Sequence, residues 1–273
     1  MSSEYCYGVL GWPLGHSASP ALMGRLMQER QYSYPYALLA YPEYPGILSL
    51  AREHHHLMGF NVTLPYKIKM FQEIFFESKK NAAWSISPEA LACGAVNCVR
   101  LLRDPFGSVI GVTGHNTDAQ GFAAALSVLE PNRLEGPALV MGDGGASKAV
   151  VHVLHTMGIA CTQLCRKVTS HSIPNARGRS LLAWEDAEAN LIHNHPLLIQ
   201  CTPIGMWPSE TEMPPLPTMA MEGIGPHHRV MDLIYRPERT LFLEQCAARG
   251  AHVLGGWTML EQQAIASLEF WLA

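Results

Sequence analysis

The stretch "GFNVTLPYKIKM", residues 59 to 70, places a lysine where a helix disfavours one. Phe60, Val62 and Leu64 alternate with polar Asn61 and Thr63, the period of a strand, and Ile68, Phe71 and Phe75 then recur at helical spacing. The pattern predicts a strand running into a helix with Pro65 in the first turn, where a missing N–H is no loss. Lys67 then stands near the positive end of that helix, where an ammonium group typically costs ~0.3–1 kcal/mol. Asp118, in "NTDAQGF", falls at a predicted helix start, where a carboxylate is favoured. A Lys–Asp pair would hold the ammonium in place and relay a proton. Either residue taken alone reads more simply as a surface charge.

A second group of residues suits phosphate. "VMGDGG", residues 140 to 145, follows a predicted strand and opens a predicted helix. Gly142, Gly144 and Gly145 let the backbone approach a bound group, and the helix start offers unpaired N–H donors. Asp143 inside the turn is expected to point outward, because a carboxylate facing a pyrophosphate repels it. The same glycines also fit a tight turn with no ligand. The next strand ends in Cys165, Arg166 and Lys167, where an NAD site usually carries Asp or Glu. Two cations without a carboxylate suit the 2′-phosphate of NADP, which a guanidinium grips and stacks beside. The alternative there is an exposed basic loop.

The elements that must position these residues alternate along the chain. "YCYGVLG", "SYPYALLAY" and "GFNVTL" read as strands, and Ser19 with Pro20 reads as a cap and first residue of a helix. Ser87-Pro88-Glu89 repeats that signal, and the following helix turns toward a strand at Gly94. "GVTGHNTDAQGF" reads as a loop before a small-residue helix at 119 to 129. "PALVMGDGGASKAVVHVLHTMG" reads as a βα unit stopped at Gly158, followed by strands in "IACTQLC", "PLLIQCTPIG" and "HRVMDLIY". Pro208, Pro214, Pro215 and Pro217 mark a long loop, and Thr258 with Glu261 forms a capping box for the last helix. Such alternation predicts an α/β protein with parallel sheets covered by helices.

Bulk properties exclude several classes. Apolar residues make up 48 % and charged residues 15 %, enough to form cores. A net charge of −4 leaves no basic surplus for phosphate backbones, so nucleic acid is not an expected partner. No secretory signal pattern and no membrane-length apolar run is present. Seven cysteines without framework spacing fit a reducing cytoplasm, and the His54–His56 triplet reads as a solvated helix end, so no metal is expected.

Taken in order, "HSASP" at 16 to 20, "GFNVTLPYK", "GAVNC" at 94 to 98, "NTD" at 116 to 118, "GDGGASKAV" at 142 to 150, "CTPIGM" at 201 to 206, "DLIYRPERT" at 232 to 240 and "GGWTMLEQQA" near the end resemble the motifs of the shikimate dehydrogenase family. The resemblance implies NADP-dependent reversible reduction of 3-dehydroshikimate to shikimate, in aromatic amino-acid biosynthesis. It implies two domains: a substrate domain with a mixed sheet over 1–115 plus 257–273, and a Rossmann-like NADP domain with a parallel sheet over 116–256. By motif position Lys67 matches the catalytic lysine and Asp118 its partner. Ser17 and Ser19 match hydroxyls for the substrate carboxylate; Thr63, Asn97 and Gln263 match groups holding ring hydroxyls or carboxylate; Tyr235 matches a tyrosine lining the site. Gly142, Asp143, Gly144, Gly145 and Ala146 would take the pyrophosphate, Arg166 and Lys167 the 2′-phosphate, and Thr202, Leu233 and Gly256 the nicotinamide end. Family members occur as monomers and dimers, so a monomer or homodimer is expected. Two rivals stand beside this reading: a quinate-accepting relative using NAD, and a catalytically silent homologue.

Overall fold

A computed structural model describes residues 6–15, 17–129, 136–166 and 179–273. By contact the chain divides into two units, Met1–Gln120 with Gln263–Ala273, and Gly121–Gln262.

The first unit is built on β1 (Cys6–Gly11), β2 (Tyr36–Ala40), β3 (Leu57–Val62), β4 (Trp84–Ile86), β5 (Cys98–Arg103) and β6 (Val109–His115), in sheet order β2-β1-β3-β5-β6-β4. β1, β2 and β3 are parallel, β5 is antiparallel to both β3 and β6, and β4 is parallel to β6. The sheet is therefore mixed, as expected. Its helices are α1 (Ser19–Glu29), α2 (Ile47–Glu53), α3 (Lys67–Ser78) and α4 (Pro88–Cys93). Leu10, Phe60, Val62, Val99, Leu101 and Val112 from the strands pack with Met70 and Ile74 of α3 in one buried cluster. Because β5 alone among the central strands runs backward, the carboxyl ends of β1, β3 and β6 share an edge with the start of β5. Lys67, Asn97 and Asp118 adjoin that edge.

The second unit holds β7 (Ala138–Met141), β8 (Cys161–Cys165), β9 (Arg179–Ala183), β10 (Leu197–Gln200), β11 (Arg229–Asp232) and β12 (His252–Leu254), in order β12-β11-β10-β7-β8-β9. Every neighbouring pair is parallel. Read from β7, the order is 3-2-1-4-5-6, a doubly wound sheet whose direction of winding reverses between β7 and β10. Two helices cross the division, α5 (Asp118–Val128), which starts in the first unit, and α10 (Trp257–Leu272), which ends in it; between them the second unit holds α6 (Gly145–Thr156), α7 (Ala189–His193), α8 (Thr218–Met221) and α9 (Leu241–Ala248). Among the described residues no helix is long and apolar enough to cross a membrane.

Several local expectations need correction. Ser19 is the first residue of α1 rather than its cap, which is Ala18. Pro65 lies ahead of α3, after a cis Leu64-Pro65 bond, and Tyr66 is the cap residue. Residues 111 to 115, read as loop, finish β6 because they pair with β5. Thr258 is inside α10, one residue beyond its start. Ser87 does cap α4, its Oγ accepting from the Ala90 N–H, and Gly94 ends that helix in the left-handed region at φ 62°.

The far end of α10 is seated on β3 through a missing side chain. The Trp271 indole N–H donates to the Val99 carbonyl at 2.9 Å, and a Cβ on Gly59 would fall 2.7 Å from that indole nitrogen. We predict that Gly59→Ala destabilises the protein by about 1–3 kcal/mol through overpacking. A chemical melt reads this, and an unchanged midpoint contradicts the seating.

Candidate active site and dinucleotide turn

Lys67 is the first residue of α3 and Asp118 the first of α5. Backbone bonds stitch their surroundings together: Val96 N–H donates to the Lys67 carbonyl, Val62 N–H to the Asn97 carbonyl, and Asn97 N–H to the His115 carbonyl. This register brings Lys67 Nζ to 2.5 Å from Asp118 Oδ2, with side-chain exposures of 15 % and 6 %. The expected pair is thus formed and largely withdrawn from water. A carboxylate buried to this degree needs its second oxygen satisfied. Asn97 does so, its Nδ2 donating to Asp118 Oδ1 at 2.8 Å.

The orientation of that amide is determined. Asn97 Oδ1 accepts from the Thr117 N–H at 2.7 Å, so the nitrogen must face the carboxylate. A further hydroxyl set lies beneath it. Asn61 Nδ2 donates to Ser267 Oγ at 2.8 Å, Ser267 donates to the Gln263 carbonyl at 2.8 Å, and Thr117 Oγ1 lies 3.0 Å from Ser267 Oγ. With the Ser267 proton committed to that carbonyl, the Thr117 hydroxyl donates to Ser267 and accepts from Asn97 Nδ2 at 3.0 Å. Gln263 Oε1 is 3.4 Å from Asn97 Nδ2. Lys67, Asp118, Asn97 and Gln263 therefore belong to one network. Thr117, Ser267 and Asn61 were not among the residues the sequence singled out; they are buried polar side chains whose pairing only the fold reveals.

The remaining expected residues of this unit stand at the same strand ends. Thr63 follows β3, its N–H donating to the Leu10 carbonyl of β1 at 2.8 Å. Ser17 and Ser19 lie in the β1–α1 connection, where Ser17 Oγ accepts from the Ser19 N–H at 3.3 Å. All three are half-buried.

In the second unit the glycines follow β7 and start α6. Gly142 has φ +108°, and a Cβ there would fall 2.9 Å from Thr202 Cγ2, so the turn after β7 touches the turn after β10 at the reversal point. Gly144 faces open space and Asp143 is exposed. The first N–H groups of α6 have no carbonyl one turn earlier. Backbone donors at a helix start, and room for close approach, fit a pyrophosphate. Arg166, just after β8, is exposed, and Lys167 lies outside the described residues. Leu233 and Gly256 adjoin each other: a Cβ on Gly256 would collide with the Leu233 carbonyl, and Gly256 N–H donates to the Ile234 carbonyl. Tyr235 meets Trp257 edge-on, with ring centroids 6.4 Å apart.

Asp232 organises that loop and escaped the sequence reading. Completely buried, it accepts from the Ile234 N–H at 2.9 Å and the Thr240 hydroxyl at 2.7 Å, and Thr240 in turn caps α9. Burial pushes its carboxyl up to about 7, the two hydrogen bonds opposing that rise.

A mixed-sheet unit bearing a buried amine–carboxylate pair, and a unit with a Rossmann-like sheet and a glycine turn, define a two-domain α/β protein of the dinucleotide-dependent dehydrogenase type. A family model, the shikimate dehydrogenase substrate binding domain, matches residues 9–99. The NADP-dependent shikimate dehydrogenase of Paracoccus denitrificans is 31 % identical over 97 % of this chain and 89 % of its own length. That of Synechocystis is 32 % identical over 97 % and 89 %. The crystal structure of the Thermus thermophilus shikimate 5-dehydrogenase in complex with NADP(H) and shikimate superposes with a TM-score of 0.77 at 29 % identity, covering 98 % of this chain and 93 % of that one. The chain belongs to the shikimate dehydrogenase family.

A carboxyl whose folded pKa is about 7, against an ordinary 3.8, binds more protons in the folded than in the unfolded state between those values. Its contribution is complete below the unfolded value and is lost as pH rises through about 7, with a slope of about 1.4 kcal/mol per pH unit between. We predict that Asp232→Asn removes this part of the slope, so that urea melts at pH 5 and pH 8 differ less in the variant by about 2–3 kcal/mol. An identical pH difference in both proteins contradicts the assignment.

Proposed function

We propose that this chain is an NADP-dependent shikimate dehydrogenase, reversibly reducing 3-dehydroshikimate to shikimate. The observation that carries the reading is the buried Lys67–Asp118 pair with Asn97 bonded to the second carboxylate oxygen. The family relationship supplies the substrate, and the donor set supplies the reason. The substrate is small, anionic and rich in hydroxyls, so a site of Ser, Thr, Asn and Gln matches it group by group. A site built to bond a hydroxyl strongly rejects an analogue lacking it, because buried polar groups are then left unpaired.

In this reading Ser17 and Ser19 take the substrate carboxylate, Thr63, Asn97 and Gln263 hold its ring oxygens, and Tyr235 lines the site. NADPH supplies the hydride when bound. Lys67 Nζ gives a proton to the carbonyl oxygen during reduction and takes it back during oxidation. Asp118 keeps the ammonium aimed and balances its charge. In the second unit the main-chain N–H groups of Gly142 to Ala146 would receive the pyrophosphate. Arg166 and Lys167 would take the 2′-phosphate, and Thr202, Leu233 and Gly256 would border the nicotinamide. The chain is read as a cytoplasmic monomer or homodimer. Seven free cysteines, five of them buried, support the reducing compartment.

Formation of NADPH from NADP and shikimate, followed by absorbance, tests the assignment. Lys67→Ala should lower kcat by about 10²–10⁴-fold with NADPH binding retained. Equal turnover in the variant removes the lysine from the chemistry. For specificity, kcat/KM should be highest for shikimate with NADP. A value as high or higher for quinate with NAD replaces the proposed substrate and cofactor.

A further inference from the structure

The glycine turn is held from below by two side chains that the reaction does not use. Gln163 stands on β8 opposite Val140 of β7 and is 2 % exposed. Its Nε2 donates to the Gly142 carbonyl and lies 3.3 Å from Ser147 Oγ. Ser147, fully buried in the first turn of α6, donates to the Gly144 carbonyl at 2.8 Å. Two carbonyls of the turn are therefore fastened to side-chain donors inside the unit, while the Gly142 N–H is fastened to the Leu164 carbonyl at 2.8 Å.

An anion-receiving turn must present N–H groups and keep its carbonyl oxygens off the anion. A carbonyl turned into the protein needs a donor there. The β-strand neighbours cannot supply one where the chain has already left the sheet. A side-chain amide reaching across from the adjacent strand can. The arrangement carries a cost that stability alone does not explain: Gln163 Oε1 is a buried oxygen with no hydrogen-bond partner among the described residues. An apolar side chain on this inner strand position would have left no such atom.

We infer that Gln163 is a positioning residue for the dinucleotide: by holding the Gly142 carbonyl inward, with Ser147 holding that of Gly144, it fixes the turn with its N–H groups set for a pyrophosphate. The inference rests on the reading of this turn as the dinucleotide site. It acts through the backbone and needs no contact between the amide and the ligand.

The test is a direct titration of the full-length chain with NADPH, followed by nucleotide fluorescence, for wild type, Gln163→Leu, Gln163→Met and Ser147→Ala. Thermal melts and the KM for shikimate at saturating NADP are measured alongside. The expected result is a Kd for NADPH raised about tenfold in Gln163→Leu, the worth of one net hydrogen bond. Ser147→Ala should move Kd in the same direction by less, and the KM for shikimate should stay within twofold. Gln163→Met, which keeps the length of the side chain without its amide, gives the same comparison should the leucine variant fail to fold. If wild type binds NADPH and the folded variants bind it within twofold, the inference is overturned while the site stands. A lowered melting temperature with unchanged Kd likewise overturns it by showing a structural role only. If wild type itself does not bind NADPH, the reading of the turn fails first.

Discussion

A largely buried ammonium and a buried carboxylate, 2.5 Å apart, are the constraint around which the first unit is arranged. Taking both charges out of water costs several kcal/mol per ion unless geometry and further hydrogen bonds offset it. The fold supplies both. The antiparallel β5 brings its own start to the carboxyl ends of β3 and β6, so Asn97 can satisfy Asp118 while Lys67 and Asp118 begin separate helices. Asp118 gains from its helix start and Lys67 does not. The carboxylate is thus the better-tolerated member, and it holds the lysine at a place where an unpaired ammonium would be disfavoured.

The second unit meets a different demand with similar means. In the proposed reading its glycine turn offers backbone donors outward, while its carbonyls and the neighbouring loop are tied down from inside. Gln163 and Ser147 fasten the turn, while Asp232 and Thr240 fasten the loop carrying Leu233 and Tyr235. In each unit most residues expected to meet substrate or cofactor stand at carboxyl ends of parallel strands, Asn97 at the start of antiparallel β5 and Gln263 on α10 being the exceptions. A second tier of buried polar side chains sets their orientation.

Part of the first tier, Lys67, Asp118 and the glycines at 142 to 145, is written in local signals, and most of the rest was expected only from the family resemblance. Strand alternation before Lys67, a carboxylate at a helix start and glycines between a strand and a helix each follow from spacing, parallel sheets followed from the alternation of elements, and the mixed sheet followed from the family resemblance. Cap positions were less legible: Ser19 and Thr258 have the right chemistry, but α1 begins one residue and α10 two residues earlier than those caps require. The second tier left no local trace. Thr117, Ser267 and Asn61 come from distant segments, and their hydroxyls and amide become partners only when α10 lies on β3 and β5. Asp232 and Gln163 sit in strands whose hydrophobic pattern predicts burial but not what a buried polar group would bond.

The central claim is that Lys67 and Asp118 act as one unit. A double-mutant cycle on kcat/KM for shikimate, with Lys67→Met, Asp118→Asn and the double variant, measures their coupling directly. Strong non-additivity is expected: once the lysine is removed, replacing the aspartate costs little more. Losses that simply add, each substitution costing the same with or without the other, would contradict it.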